Sequence, residues 1–243
     1  MLLTKLIPPR SESLKDAVAC FNRFLEEPHE NKDHKCEMFI YGGRACLKST
    51  IASALVLKAM VETGQNAMCI RTHWCDLRDS CFSQMDWAAR NLQVDVKKSL
   101  AKSRMEMGNN ARCLFAGLEE PERISAAAVA LRPKVVWIEE ADQLEPRDYK
   151  FLAEGLLLSE NPIIITTFNP PACKSHWLNK KIDEHFKHHS TNGWGGEWFF
   201  NPCFTEVERE WLGESFFREA EMLRKMNPLA FCQEYIGVPI CED

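Results

Sequence analysis

The stretch MFIYGGRACLKST, residues 38–50, indicates the fold of this 243-residue chain. It begins with an apolar run, passes through two glycines and reaches Lys48 and Ser49, where a helix is predicted to begin. A strand, a glycine-containing loop and a helix can together bind phosphate, because backbone N–H groups at a helix N-terminus attract anions. Gly42, Lys48 and Ser49 also occupy their positions in the pattern G-x-x-x-x-G-K-[S/T]. The stretch therefore predicts a phosphate-binding loop.

The side chains of this loop suggest separate roles in binding ATP and Mg²⁺. Lys48 would reach the β- and γ-phosphates, and the Ser49 hydroxyl would bind Mg²⁺. Arg44 is a candidate catalytic residue that could contact the γ-phosphate or a neighbouring subunit, or else a solvated loop arginine. The predicted nucleotide-binding residues of the loop are Gly42, Gly43, Arg44, Ala45, Cys46, Leu47, Lys48, Ser49 and Thr50.

Leu47 departs from the pattern, because it stands where a glycine is usual. Glycine tolerates backbone angles and close approaches that a side chain hinders. We therefore expect Leu47 to narrow the loop or to weaken nucleotide binding. The alternative interpretation of the whole stretch is an ordinary strand–turn–helix that contains a lysine by chance.

Short apolar runs alternate with helical patterns through the first 171 residues. Consecutive apolar residues are typical of strands buried on both faces, and strands that alternate with helices form parallel sheets. The chain is therefore predicted to be α/β, with a mostly parallel central sheet flanked by helices. The predicted strands are residues 38–41, 67–70, 113–116, 135–138 and 163–167, and the predicted helices are 13–27, 49–63, 77–92 and 146–158.

The alternation weakens after Pro171. Helical patterns continue over residues 176–186, 214–226 and 227–235, without further apolar runs typical of strands. We therefore expect a P-loop ATPase core over residues 1–171 and a small helical C-terminal extension over residues 172–243.

Two adjacent acids follow the fourth apolar run, Val135-Val136-Trp137-Ile138. Glu139 would help to hold Mg²⁺, and Glu140, a candidate catalytic residue, would orient and polarise the attacking water. Adjacent residues of a strand point to opposite faces, so the strand end has to twist if both acids are to reach one site. The alternative is a pair of solvated acids at the end of a strand.

The fifth apolar run leads into Thr166-Thr167-Phe168-Asn169-Pro170-Pro171. Ligands of such sheets bind at the carboxyl ends of the strands. In some P-loop ATPases an additional strand lies between the strand that precedes the phosphate-binding loop and the strand that ends in the acids. A polar residue at the end of this additional strand senses the γ-phosphate. Thr167 and Asn169 are the candidates, although Asn-Pro is also a turn signal by itself.

With these three elements the chain resembles the terminase large subunits of tailed phages, in particular the PBSX-like group. The matching stretches occur in order over about residues 38–239: GGRACLKS, CIRTHWCDLRDSCFSQM, CLFAGLEEPERI, VVWIEEADQL, TTFNPP, WFFNPCF and QEYIGVP. The chain departs from the group at Ala45 and Leu47, where glycine is common.

The resemblance implies a P-loop ATPase of the additional-strand type that couples Mg-ATP hydrolysis to translocation of double-stranded DNA into a capsid. The family joins an N-terminal ATPase to a C-terminal nuclease similar to ribonuclease H. The EYIGVP stretch resembles the point where the ATPase ends, so we expect no nuclease activity from this chain.

The resemblance also implies partners. We expect a homo-oligomeric ring of five subunits on the portal protein of the procapsid, in the host cytoplasm, with a small terminase subunit that delivers the DNA. Arg123 and Arg132 are candidates for an arginine finger that completes a neighbour's site, or else surface arginines. Arg71 and Arg78 could support the nucleotide pocket or the grip on DNA.

Composition narrows these possibilities. The formal net charge is -5, which argues against a static DNA-binding module but leaves room for a local basic patch. The sequence contains no apolar run of about 18 residues, so no membrane span is expected. The eleven cysteines include no C-x-x-C pair, so neither a disulfide framework nor a zinc site is expected.

Two other functions remain open at this point. The first is another P-loop DNA-dependent ATPase or helicase, which would share both acidic and phosphate-binding motifs but would need a second motor lobe. The second is a nucleotide-binding scaffold with a degenerate site, which Leu47 favours.

Overall fold

The structure is a computed structural model that describes residues 3–26, 36–99, 101, 103–119, 121–156 and 162–241. Over these residues the chain forms one sheet of nine strands with helices packed on both faces. The strands are β1 (Cys36–Tyr41), β2 (Ala67–Arg71), β3 (Val96–Ser99), β4 (Arg104–Met107), β5 (Arg112–Gly117), β6 (Val135–Glu139), β7 (Ile163–Phe168), β8 (Gly193–Trp194) and β9 (Glu197–Phe200).

The helices connect these strands and form the C-terminal part. The α-helices are α1 (Glu12–Glu26), α2 (Lys48–Thr63), α3 (Trp74–Leu77), α4 (Ser83–Asn91), α5 (Pro121–Leu131), α6 (Pro146–Leu156), α7 (Trp177–His188), α8 (Arg209–Leu212), α9 (Glu214–Met226) and α10 (Pro228–Phe231). Turns of 3-10 helix occur at Leu3–Leu6, Ala141–Gln143 and Phe204–Glu206, and π-helical turns occur at Arg78–Phe82 and Cys232–Ile236.

The strand order is β3-β4-β5-β2-β6-β7-β1-β9-β8. The six strands from β5 to β9 in this order run parallel, and β3, β4 and β8 are antiparallel to their neighbours. β7 pairs with β1 on one side and with β6 on the other. One strand therefore lies between the strand before the glycine loop and the strand that carries the two acids. The predicted α/β fold of the additional-strand type is confirmed.

The consecutive apolar residues of the central strands are explained by helices on both faces of the sheet. All six residues of β1 are buried. Met38 and Ile40 lie in a cluster with side chains of α1, α2 and α4. Phe39 and Tyr41 lie in a second cluster, on the opposite face, with side chains of α5, α6 and α7. A strand covered on both faces has no solvated face for polar residues, so the period-two alternation disappears.

α2 crosses behind the sheet and is buried along most of its length, from Ile51 to Met60. It begins at Lys48, one residue before the predicted start, and ends at Thr63. Gly64 caps it in the left-handed conformation (φ 68°) and donates its N–H to the Met60 carbonyl. Within the described residues, no helix combines the length and the apolar character needed to cross a membrane.

The structure contains elements that the sequence patterns did not predict. The helix expected over residues 77–92 is divided into α3, a π-helical turn and α4. The strands β3, β4, β8 and β9 and the helix α5 were also missed. β9 has four residues and follows the two-residue strand β8, so neither is long enough to show a periodic pattern.

β9 extends the sheet beyond the predicted core boundary at residue 171. It pairs with β1 from Glu37 to Ile40, and its Phe199 and Phe200 enter opposite faces of the core. The extension expected to be helical therefore also contributes two strands to the sheet, after α7. Its last part has a separate small cluster around Phe204, Ala220 and Tyr235. The division into residues 1–171 and 172–243 stays a prediction about domains.

We expect Phe200→Ala to lower the free energy of unfolding by about 3–5 kcal/mol, because the ring is 2% exposed and its removal leaves a cavity beside β1. Phe151→Ala is the matched control, since that ring is 43% exposed, and it should cost about 0.5 kcal/mol or less. Chemical denaturation followed by tryptophan fluorescence measures both. Equal losses in the two variants would contradict the placement of β9 in the core.

Candidate functional site

The loop between β1 and α2 adopts a conformation that usually requires glycine. Ala45 and Leu47 have positive φ angles of 59° and 65°, in the left-handed region. An L-amino acid in this region costs roughly 1–2 kcal/mol. Both side chains are packed: Leu47 contacts the cluster on the α2 face of the sheet, and Ala45 contacts the cluster around Tyr235. The motif has glycine at position 47 because the backbone there is left-handed. In this chain the packing of Leu47 offsets part of the strain that its positive φ causes.

Lys48, the first residue of α2, folds over the beginning of the loop. Its Nζ donates hydrogen bonds to the carbonyls of Gly42 (2.9 Å) and Gly43 (2.8 Å) and lies 3.2 Å from Cys46 Sγ. The first N–H groups of a helix have no partner inside the helix, so those of Lys48, Ser49 and Thr50 are free of helical hydrogen bonds. An ammonium group and a helix N-terminus therefore meet at this loop.

Glu139 connects β6 to α2, the helix that follows the phosphate-binding loop. It is the last residue of β6 and is buried. Ser49 Oγ donates a hydrogen bond of 2.6 Å to Glu139 Oε1, and Thr167 Oγ1 donates to the other carboxylate oxygen. Trp137 Nε1 donates to Thr167 Oγ1 at 2.8 Å and orients that hydroxyl. The structure thus brings together three residues that the sequence analysis selected from three separate motifs.

The electrostatic environment of Glu139 favours a cation. Burial raises the pKa of this carboxyl group, the charge of Glu140 raises it further, and the hydrogen bonds from Ser49 and Thr167 oppose the rise. The Ser49 hydroxyl and the Glu139 carboxylate are hard oxygen ligands 2.6 Å apart. This donor set fits Mg²⁺, which prefers oxygen ligands.

Glu140 leaves the strand in a left-handed conformation (φ 52°, ψ 51°) and begins a 3-10 turn. This backbone turn separates the directions of the two acids. The Glu140 carboxylate forms an ion pair with Arg71, the last residue of β2, and accepts a hydrogen bond of 2.7 Å from Gln143 Nε2. Strained backbone at a non-glycine residue is common at functional sites. Arg71, which the sequence analysis assigned to the pocket or to DNA, therefore holds the candidate catalytic acid.

The residues that follow β7 lie beside the acidic turn. Thr167 is buried beside Glu139, whereas Asn169 is exposed. Burial and the charge of Glu140 raise the pKa of the Asp142 carboxyl group, and the neighbouring Asn169 backbone opposes the rise. The sequence analysis missed both Asp142 and Gln143. An acid and an amide within three residues of Glu140 were the available signal.

The candidate arginines lie at different places. The Arg44 guanidinium is 3.6 Å from Glu234 Oε2 and 5.8 Å from the ring centroid of Tyr235, so it rests on the C-terminal segment. Its catalytic role stays a prediction. Arg132 is exposed and directly follows α5. The side chains of Arg78 and Arg123 lie outside the described part of the structure, so the candidates for an arginine finger also stay predictions.

The assembled groups suit phosphoryl transfer. A helix N-terminus and Lys48 can bind phosphate oxygens, Ser49 and Glu139 can hold a divalent cation, and Glu140 can position a water molecule. These groups come from the carboxyl ends of neighbouring parallel strands, where such sheets bind their ligands.

Comparisons with known proteins identify the family and the fold. The model of the phage terminase large subunit family matches residues 34–238. The large terminase subunit of Bacillus phage SPP1 is 25% identical over 208 residues, which are 81% of this chain and 47% of that protein. The chain therefore spans about half the length of this curated relative.

Solved structures show the same fold. The large terminase of a thermophilic bacteriophage superposes with a TM-score of 0.68 at 12% identity, over 95% of this chain and 53% of that one. The ATPase domain of the large terminase from Thermus phage P74-26 gives a TM-score of 0.58 at 16% identity, over 90% of this chain and 97% of that domain. Since the family model covers most of the sequence, this chain belongs to the phage terminase large subunit family.

Proposed function

We propose that this chain is the ATP-hydrolysing motor portion of a viral DNA-packaging machine, which couples Mg-ATP hydrolysis to translocation of double-stranded DNA into a capsid. The observation that carries the proposal is the Ser49–Glu139–Thr167 arrangement, which joins the phosphate loop, the acidic strand and the strand between them. The related large terminase of a thermophilic bacteriophage has been solved with ADP and with ATP-γ-S, which supports nucleotide binding at this fold.

Each residue has a role that follows from its position. Lys48 and the first-turn N–H groups of α2 bind phosphate oxygens of ATP. Thr167 and Trp137 hold the Glu139 carboxylate in place. Mg²⁺, held by Ser49 and Glu139, would neutralise charge on the phosphate oxygens. The remaining nucleotide contacts are assigned to the loop residues 42–50 and to Asn169.

Glu140 orients and polarises the attacking water. In the present structure its carboxylate is held by Arg71 and Gln143, which restrict its direction. Correct placement of a general base matters as much as its basicity, because proton transfer needs hydrogen-bond reach. Arg71 and Gln143 therefore fix the direction in which the Glu140 carboxylate points.

The proposed partners follow from the family. They are double-stranded DNA, the portal protein, a small terminase subunit and further copies of this chain in a ring of five, at the procapsid portal in the host cytoplasm. Arg123 or Arg132 would complete a neighbour's site as an arginine finger. The expectation that this chain has no nuclease activity stays a prediction.

The proposal is tested by measuring ATP hydrolysis at high protein concentration with Mg²⁺, with and without double-stranded DNA. We expect turnover that DNA stimulates and that Lys48→Ala abolishes. Turnover with strand separation would favour a helicase instead. Absence of both hydrolysis and nucleotide binding would overturn the proposal in favour of a scaffold with a degenerate site.

Glu140→Gln should reduce ATP hydrolysis about a thousandfold while leaving ATP affinity unchanged, because an amide cannot accept the water's proton. Single-turnover hydrolysis and equilibrium nucleotide binding measure the two effects. Glu145→Gln, an acid after the same turn, serves as the control and should hydrolyse ATP normally. Normal turnover in Glu140→Gln would refute the role of this acid.

Leu47→Gly should raise nucleotide affinity, because glycine removes the strain of the left-handed φ of 65° and opens the loop. Leu47→Ala is the matched control, since it removes most of the side chain but keeps the positive φ. Titration calorimetry should give an affinity about three- to tenfold higher for Leu47→Gly than for Leu47→Ala. Equal affinities would show that the backbone conformation at this position does not limit binding.

A further inference from the structure

A segment near the C-terminus lies directly against the phosphate loop. We call residues 234–237 the brace. The Arg44 N–H donates a hydrogen bond of 2.8 Å to the Glu234 carbonyl. Gly43 lies so close to Tyr235 that a Cβ there would overlap the Tyr235 carbonyl group. A Cβ at Gly237 would lie 2.7 Å from the Gly43 nitrogen. Brace and loop therefore touch backbone to backbone.

The brace is anchored on both sides of this contact. Tyr235 is 3% exposed and stacks on Phe231, with 5.5 Å between ring centroids, inside the cluster around Phe204. Beyond the brace, Ile240 N–H donates to the Ala172 carbonyl at 2.9 Å, and Lys174 N–H donates to the Cys241 carbonyl at 3.0 Å. The chain that contains the brace thus connects the phosphate loop to the segment that follows β7.

The phosphate loop has a particular need for external support. Its residues 45 and 47 lack the glycines that would adopt positive φ without strain. Ala45 packs on the cluster that also holds Tyr235, so the strained residue and the brace share one anchor. The Arg44 side chain adds an ion pair with Glu234 and lies over the Tyr235 ring. The first half of the loop is therefore held by the brace, while its second half continues into α2.

We propose that the brace holds the phosphate loop in its phosphate-binding conformation, and that Arg44, Glu234 and Tyr235 are positioning residues that act through this contact. The inference rests on the proposed function, because it requires the loop to bind nucleotide. Arg44 then acts on the loop through its contacts with the brace. Residues 240 and 241, which follow the brace, are hydrogen-bonded to residues 172–174 and hold the end of the segment in place.

A pair of glycine variants tests the contact with similar backbone strain in both. Gly237 (φ 82°, ψ 37°) and Gly64 (φ 68°, ψ 9°) are both left-handed, but a Cβ at Gly64 would make only an ordinary contact of 3.8 Å with Asn109 Nδ2. Alanine would occupy the same left-handed region at either position, and only Gly237→Ala pushes the brace away from the loop. We expect Gly237→Ala to weaken binding of a fluorescent ATP analogue about tenfold or more, and Gly64→Ala to change it less than about twofold.

The melting temperature should fall in both glycine variants, and further in Gly237→Ala, whose Cβ also overlaps the loop backbone. Wild-type affinity in Gly237→Ala, or equal weakening in both variants, would overturn the inference. Lys48→Ala separates this failure from failure of the proposed function. If the wild-type chain binds the analogue no better than Lys48→Ala does, the proposed function fails, and the inference that rests on it fails too.

The side chains are tested by a cycle of Arg44→Ala, Glu234→Ala and the double variant. If Arg44 acts through the brace, the variants should weaken ATP and ADP equally, and the double variant should bind no more weakly than Arg44→Ala alone. Loss of ATP affinity with normal ADP affinity would instead place Arg44 on the γ-phosphate and overturn its assignment. Tyr235→Phe keeps the ring and should bind both nucleotides as the wild type does.

Discussion

The carboxylate of Glu139 is the point at which the separate parts of the site meet. A buried acid is costly unless its oxygens are hydrogen-bonded, and here each oxygen receives one hydroxyl, from Ser49 and from Thr167. These hydroxyls belong to α2 and β7, so satisfying one acid fixes the loop helix and the intervening strand relative to β6. The adjacent charge of Glu140 and the burial raise the pKa of Glu139, and a bound cation would remove that penalty.

Much of the architecture follows from local sequence. The parallel strands are buried on both faces, so their apolar residues are consecutive and easily recognised. The phosphate loop and the two acids directly follow such strands. The loop is recognised by its glycines, lysine and serine, and the acids are recognised because two charged residues follow a buried run. The topology then brings them together, because the carboxyl ends of neighbouring parallel strands share one edge of the sheet.

Other features depend on contacts that no sequence pattern reports. β9 is four residues long and is a strand because β1 offers it hydrogen bonds and the core accepts its two rings. The ion pair of Arg71 with Glu140 joins two strand ends, and either residue alone resembles a surface charge. The contact of Arg44 with Glu234 uses a backbone carbonyl, which every residue possesses. Such features become visible only when the fold places the partners side by side.

The position of β1 has a mechanical consequence. This strand is hydrogen-bonded along both edges, to β7 and to β9, and its side chains are locked into both core layers. It cannot slide or tilt without breaking two ladders and two packed interfaces at once. The floor beneath the phosphate loop is therefore stiff. A conformational change that begins in the loop therefore has to be taken up by the loops and turns at the strand ends, because the strand itself cannot move.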